Sequence, residues 1–255
     1  MPKRPLPHPC FRVGTDYFER YHLAAGPAAQ PVSGIVDDIS ELLGAPAAAL
    51  SPSLRAFFEQ TAALVLRVES RWRPLVWPFW LLGRCFLLLI QQLVYPVHRA
   101  QVRTRVVALD PLRAGPGRGV VRTYESGGAF QIFLYSVRAG SAGPQTDVLI
   151  PLPCSHLHGR LRLDRISDSQ VCWTSQRTAV DPTTGVWLVL GRWSLKLPLG
   201  ESITLWDAAS QLCPAAVRAT DPGARFYGRH VQKLFGIALV THTYAFRDAS
   251  TGAEQ

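Results

Sequence analysis

Cys154, His156 and His158, in the stretch PCSHLHG, are spaced by two, so a strand there would set all three side chains on one face. Thiolate and imidazole at that spacing are ligand types for Zn²⁺ or a similar ion. A structural site needs a fourth donor and a catalytic site an open position, and His230 and His242 are the remaining histidines of the same region. The competing reading is a strand start with two partly exposed histidines. His242 shares a face with Tyr244 and Phe246 in the alternating run IALVTHTYAFR. That placement fits either a neutral core imidazole or a general base in a cavity, with His230 as the second acid–base candidate. Asp147, Asp164, Glu201 and Asp207 show no paired-carboxylate spacing and read as surface or turn residues.

Other signatures are missing. The chain has no GxSxG nucleophile turn, no Walker P-loop and no dinucleotide glycine fingerprint. GPGRG at 115–119 lacks the lysine and the helix of a phosphate loop, and reads as a hairpin turn. ATP-driven and dehydrogenase chemistry are therefore disfavoured, no cofactor is indicated, and whether the protein is an enzyme stays open.

The elements that would carry these residues are mostly strands. Alternation is seen over 64–72, and from residue 99 onward strands are predicted over roughly 101–109, 119–125, 129–138, 145–151, 157–166, 170–180, 184–198 and 201–207. The turn clusters RAGPGRG, ESGGA, RAGSAGP, SDS and DPTTG separate them at the spacing of an antiparallel meander. The run 184–198 turns polar half way, which predicts a bend or a departure from the core. Phe226, Tyr227, Val231, Leu234 and Phe235 fall at helical spacing, so a helix is predicted before the last strand.

Ahead of the sheet, short helices are predicted in VGTDYFERYHLAAG, in SGIVDDISELLGAP and after Ser51–Pro52. The fold class is α+β: N-terminal helices, then a large curled antiparallel sheet, with closure into a barrel as one way to remove its edges. The domain division is a disordered Pro-rich lead-in at 1–15, a helical region at 16–98, a sheet domain at 99–247 and a tail at 248–255.

The most apolar stretch is WPFWLLGRCFLLLIQQLVYP, read as a helix over 77–96. Seventeen residues lie between Pro78 and Pro96, giving a helix of about 25 Å, short of the ~30 Å hydrocarbon core. Arg84 sits within it, basic residues flank both ends, and Arg84, Gln91 and Tyr95 form one polar stripe. A helix packed on the sheet or lying on a membrane surface is favoured over a span, with Trp77, Trp80, Arg84 and Tyr95 as the contact residues.

Composition is that of a folded protein, 47% apolar and 18% charged. The net charge of +9, with 27 basic and 18 acidic residues, favours anionic partners such as a lipid surface. The arginines are scattered without a basic helix or stacking aromatic pair, which argues against nucleic acid. Five cysteines without a CxxC pair, and no apolar run behind the basic start, indicate a reducing cytoplasmic setting, peripheral on the inner face of the membrane. Two functions remain in competition: binding of an apolar small molecule or lipid in a sheet-enclosed cavity, or small-molecule tailoring by acid–base or metal-assisted chemistry in that cavity. A partner protein covering 77–96 is a third reading.

Overall fold

A computed structural model describes residues 7, 9–26, 32–140, 143–179 and 181–249. It contains twelve antiparallel strands and a few short helices. The strands are β1 (Leu64–Trp72), β2 (Arg99–Ala108), β3 (Arg118–Tyr124), β4 (Ala129–Gly140), β5 (Gly143–Leu152), β6 (Ser155–Ser167), β7 (Gln170–Thr174), β8 (Gly185–Leu190), β9 (Trp193–Leu197), β10 (Leu199–Asp207), β11 (Phe226–Leu234) and β12 (Ile237–Asp248). Ten of them close into a barrel, because β5 pairs with β6 as well as with β4. The ring order is β1, β12, β11, β10, β7, β6, β5, β4, β3, β2.

Strand β6 is long enough to serve two partners along its second edge. It pairs with β8 through His156–Arg160 and with β7 through Arg162–Ser167. The β8–β9 hairpin therefore branches off the ring. The sequence predicted one strand over 184–198 that bends. The chain instead reverses at Gly191–Arg192, where Gly191 adopts φ +55°.

The curled antiparallel sheet is thus present as a closed barrel, while the helical share is smaller than α+β implied. Residues 226–234 are strand β11, in register with β10 and β12, not a helix. Strand β1 lies between β2 and β12, so residues 64–72 belong to the barrel even though they precede the predicted sheet domain. The predicted lead-in falls partly outside the described residues. Within them, the Cys154 N–H donates to the Pro9 carbonyl and Val13 is fully buried, so the segment is anchored at these two points while Cys10, Phe11 and Arg12 between them are exposed. The tail beyond residue 249 lies outside the described residues.

Period-2 alternation fills the barrel. Leu66 and Val68 of β1, Val120 of β3, Leu161 and Leu163 of β6, Leu205 of β10 and Phe246 of β12 all point inward into one cluster. After the short helix α2 (Ser40–Leu43), helix α3 (Pro52–Glu59) closes the end where β1 begins. Ser51 caps it by accepting from the Leu54 N–H, and Phe57 and Phe58 enter the barrel to meet Trp173. Outside, residues 13–24, including α1 (Tyr17–Arg20), cover β2–β5 in a second apolar cluster. Gly119 permits this, since a Cβ there would lie 2.7 Å from the Phe18 ring. A third cluster sets α5 (Ala215–Arg218) against the outer face of β10–β12.

The opposite end, where β1 finishes, carries helix α4 (Trp77–Ile90). It stops six residues earlier than predicted, because Gln91 adopts the left-handed conformation and the chain turns into the barrel mouth. No helix among the described residues is long and apolar enough to cross a membrane. Only Trp80 and Ile90 of α4 are buried.

Candidate functional site

The barrel encloses a cavity of about 230 Å³. Its wall is built from inward positions of most of the ring strands, among them Val148, Ile150, Leu157, Leu161, Ile203 and Leu239. At the α3 end it is floored by Ile35, Phe57 and Thr61. At the α4 end it is roofed by residues 92–95. Gln92, fully buried, donates to the Ile132 and Pro151 carbonyls at 2.8 and 3.0 Å and accepts from the Ile132 and Leu93 N–H groups at 2.9 and 3.0 Å. This clamps the segment to β4 and β5. The Tyr124 hydroxyl donates to the Val94 carbonyl, and Arg84 donates to the Tyr95 carbonyl at 2.5 Å. Arg84 thus meets Tyr95 as a sequence stripe implied, but across a turn rather than along one helix.

Three polar groups interrupt the apolar wall. In the first, Tyr95 stacks on His242 at 4.3 Å between centroids, its hydroxyl accepts from Gln232 Nε2 at 3.1 Å, and His242 Nδ1 lies 2.8 Å from Ser70 Oγ. Burial pushes the Tyr95 phenol up to about 12. Burial, assisted by the neighbouring His230, holds His242 well below the usual imidazole range, so it is a neutral base.

The second group is a chain from carboxylate to phenol. Glu201 Oε2 lies 3.2 Å from His230 Nε2, and His230 Nδ1 lies 3.0 Å from the Tyr244 hydroxyl. Neighbouring strands set this register, with His230 opposite Ile203 of β10 and opposite His242 of β12. Burial pushes the Tyr244 phenol upward, so it is protonated.

The third group is Arg122, beside Tyr135. The Arg122 guanidinium sits 5.2 Å over the Phe133 ring and forms no ion pair or hydrogen bond among the described residues. Burial pulls its pKa down from the usual value, opposed by the nearby Tyr244, Tyr95 and Tyr135. The Tyr135 and Thr146 hydroxyls are buried side by side, with no other partner among the described residues.

Of the residues singled out by sequence, His230 and Tyr95 line the cavity, whereas His242 is fully buried behind Tyr95. Cys154 lies exposed in the β5–β6 turn at φ +56°. His156 and His158 alternate with the inward Leu157 and Gly159, and so face the outside of the barrel. There His158 Nε2 is 2.8 Å from Asp147 Oδ1, which also accepts from Arg160 Nε at 3.0 Å. Burial raises the Asp147 carboxyl, but His158 and Arg160 outweigh it and hold it below the carboxylate range. Among the described residues no group of three His, Cys, Asp or Glu side chains is placed to hold a metal ion.

Two acids differ from the sequence expectation: Asp147 is buried in that ion pair, and Glu201 is in the cavity wall. Arg122 and Tyr135 were missed altogether. The available signal was Arg122 on the same face as Val120 in RGVVRTY, a charge on an apolar strand face. Comparisons of the chain with protein-family models, with curated proteins and with solved structures find no match, so function rests on the chemistry of the cavity itself.

Proposed function

We propose that the protein binds an apolar small molecule or lipid inside the barrel and takes it up at a membrane surface. The observation that carries this is the cavity inside the barrel, whose wall is largely aliphatic and aromatic yet carries a few convergent polar groups. A closed antiparallel barrel is a stable wall around such a space, since every strand in the ring is paired.

The membrane part rests on the α4 end. Strand register brings α4, the β8–β9 tip and the β11–β12 turn to the same end of the barrel. Each exposes large apolar side chains: Phe79 (76%) and Leu82 (77%) on α4, Trp193 (69%) on β9 and Phe235 (77%) in the turn. Phe235 adopts φ +50°, a strained conformation for a bulky residue, where glycine would be unstrained. Arg73, Arg99, Arg192 and Lys233 lie around the same end. Apolar tips ringed by basic side chains suit the interface of an anionic bilayer.

An enzymatic reading keeps one specific support, the Glu201–His230–Tyr244 chain at the cavity wall, in which Tyr244 could donate and recover a proton. Binding is tested by fluorescence of an environment-sensitive apolar dye with native protein and with Ile150→Trp, which fills the cavity. Saturable one-to-one binding lost in the folded variant is expected; equal dye response in both would refute the cavity. Flotation with liposomes tests the membrane end.

A further inference from the structure

We infer that the cavity's ligand is an amphiphile with a single anionic head group, carboxylate or phosphate, and that Arg122 receives that head group with help from Tyr135. The inference rests on the proposed cavity function and specifies which molecules the cavity selects.

Arg122 is a charge in a place where charge is costly. It lies on β3 between the inward-facing Val120 and Tyr124, and its guanidinium opens into an apolar chamber. Removing such a cation from water is unfavourable unless an opposite charge and hydrogen bonds replace the lost hydration. Neither is supplied by the described residues. Among the described residues the single acidic side chain lining the cavity is Glu201, and that carboxylate is engaged by His230 and forms no ion pair with Arg122. Arg122 Nε is unpartnered. The Phe133 face offers a cation–π contact, which offsets part of the cost but supplies no hydrogen-bond acceptor in the plane of the guanidinium.

Three phenols stand near the guanidinium. Tyr95, Tyr135 and Tyr244 surround the guanidinium, and a neutral phenol can donate a hydrogen bond. The Tyr244 hydroxyl is engaged by His230 and the Tyr95 hydroxyl accepts from Gln232, whereas the Tyr135 hydroxyl has only the Thr146 hydroxyl beside it. A guanidinium fork and a phenol O–H are both donors, and together they call for an acceptor with negative charge. A carboxylate or phosphate oxygen meets that requirement; an alcohol, an amine or a hydrocarbon does not.

The remaining space is largely apolar and holds roughly seven or eight water-sized groups, at about 30 Å³ each. The predicted ligand therefore has a modest hydrocarbon chain. It would lie along Val148, Ile150, Leu157 and Leu161, with its head group turned toward β3 and β4.

The experiment compares decanoate, decyl phosphate and 1-decanol as competitors of a cavity dye, on delipidated native protein and on Arg122→Met. Native protein should bind at least one of the two acids about tenfold or more tightly than decanol. The preference between decanoate and decyl phosphate identifies the head group. Arg122→Met should bind all three within about threefold of one another while retaining decanol affinity. Decanol bound as tightly as both acids by native protein would overturn the inference and leave the cavity reading standing. A preference that persists in folded Arg122→Met would overturn it too. If none of the three competes, the cavity reading itself fails. Should Arg122→Met not fold, the native ratio decides alone, and Tyr135→Phe, which removes only the hydroxyl, should reduce it by several fold.

Discussion

His242 is a base kept neutral by burial and by the nearby His230, and this makes the fold sensitive to acid. Its folded-state pKa lies below that of a free imidazole, so the unfolded chain takes up the proton first as pH falls. The contribution is fully present above the ordinary value of about 6.5 and is lost below it, at up to about 1.4 kcal/mol per pH unit for this one group. Chemical denaturation at pH 7.5 and pH 5 should show lower stability at the lower pH. His242→Gln should flatten that slope; an unchanged slope would assign the acid sensitivity elsewhere. At this scale the sequence was only partly legible. The alternation in IALVTHTYAFR put His242 beside Tyr244 and Phe246 on the inward face, as found. It could not place Tyr95, 147 residues away, between His242 and the cavity. Nor could it distinguish Glu201 in the wall from a surface acid, because both sit in a strand with ordinary flanks.

At the scale of elements, the roof over the cavity depends on one side chain. Gln92 satisfies four backbone groups at once, two carbonyls and two N–H groups, with no exposure to water. Gln92→Ala would leave several of these unpaired, and at about 1–3 kcal/mol for each unsatisfied buried group the loss should be roughly 3 kcal/mol or more. Urea denaturation measures it, and a loss below about 1 kcal/mol would show that the roof is held by other contacts. Sequence reading located the stretch but extended the helix through Gln92, since apolar content continues to Tyr95 and nothing local announces the left-handed turn at Gln91. The error at β11 has a similar cause. Its inward positions are Phe226, Gly228, His230, Gln232 and Leu234, a face made polar by the Glu201–His230 chain. A strand whose buried face is polar shows no period-2 hydrophobicity, and the helical spacing of its remaining apolar residues prevailed.

For the whole molecule, the distribution of exposed apolar side chains matters more than their number. The α3 end is sealed by phenylalanines packed inward, and the α4 end presents Phe79, Trp193 and Phe235 outward. With a net charge of +9, docking of the α4 end should prefer anionic vesicles and weaken with salt. Flotation of Phe79→Asp/Leu82→Asp with phosphatidylserine vesicles should show binding reduced by about tenfold or more, given ~1.5–3 kcal/mol for each large apolar side chain buried. Its melting temperature should match that of native protein, because neither side chain packs on the barrel. Equal flotation would remove α4 from the membrane contact. The strands and their turns were visible locally, but closure of the ring was not. It depends on β5 meeting β6 on one edge while β6 divides its other edge between β7 and β8, which is long-range geometry that no window of sequence contains.

Closure leaves the sheet with one open rim among the described strands, the outer side of β9. Five residues long and followed by Pro198, it offers a short row of unpaired backbone groups, with Lys196 in its course. A second copy adding antiparallel along β9 would consume both open rims together, so assembly by this route ends at a two-fold dimer and has no surface from which to grow into a fibre.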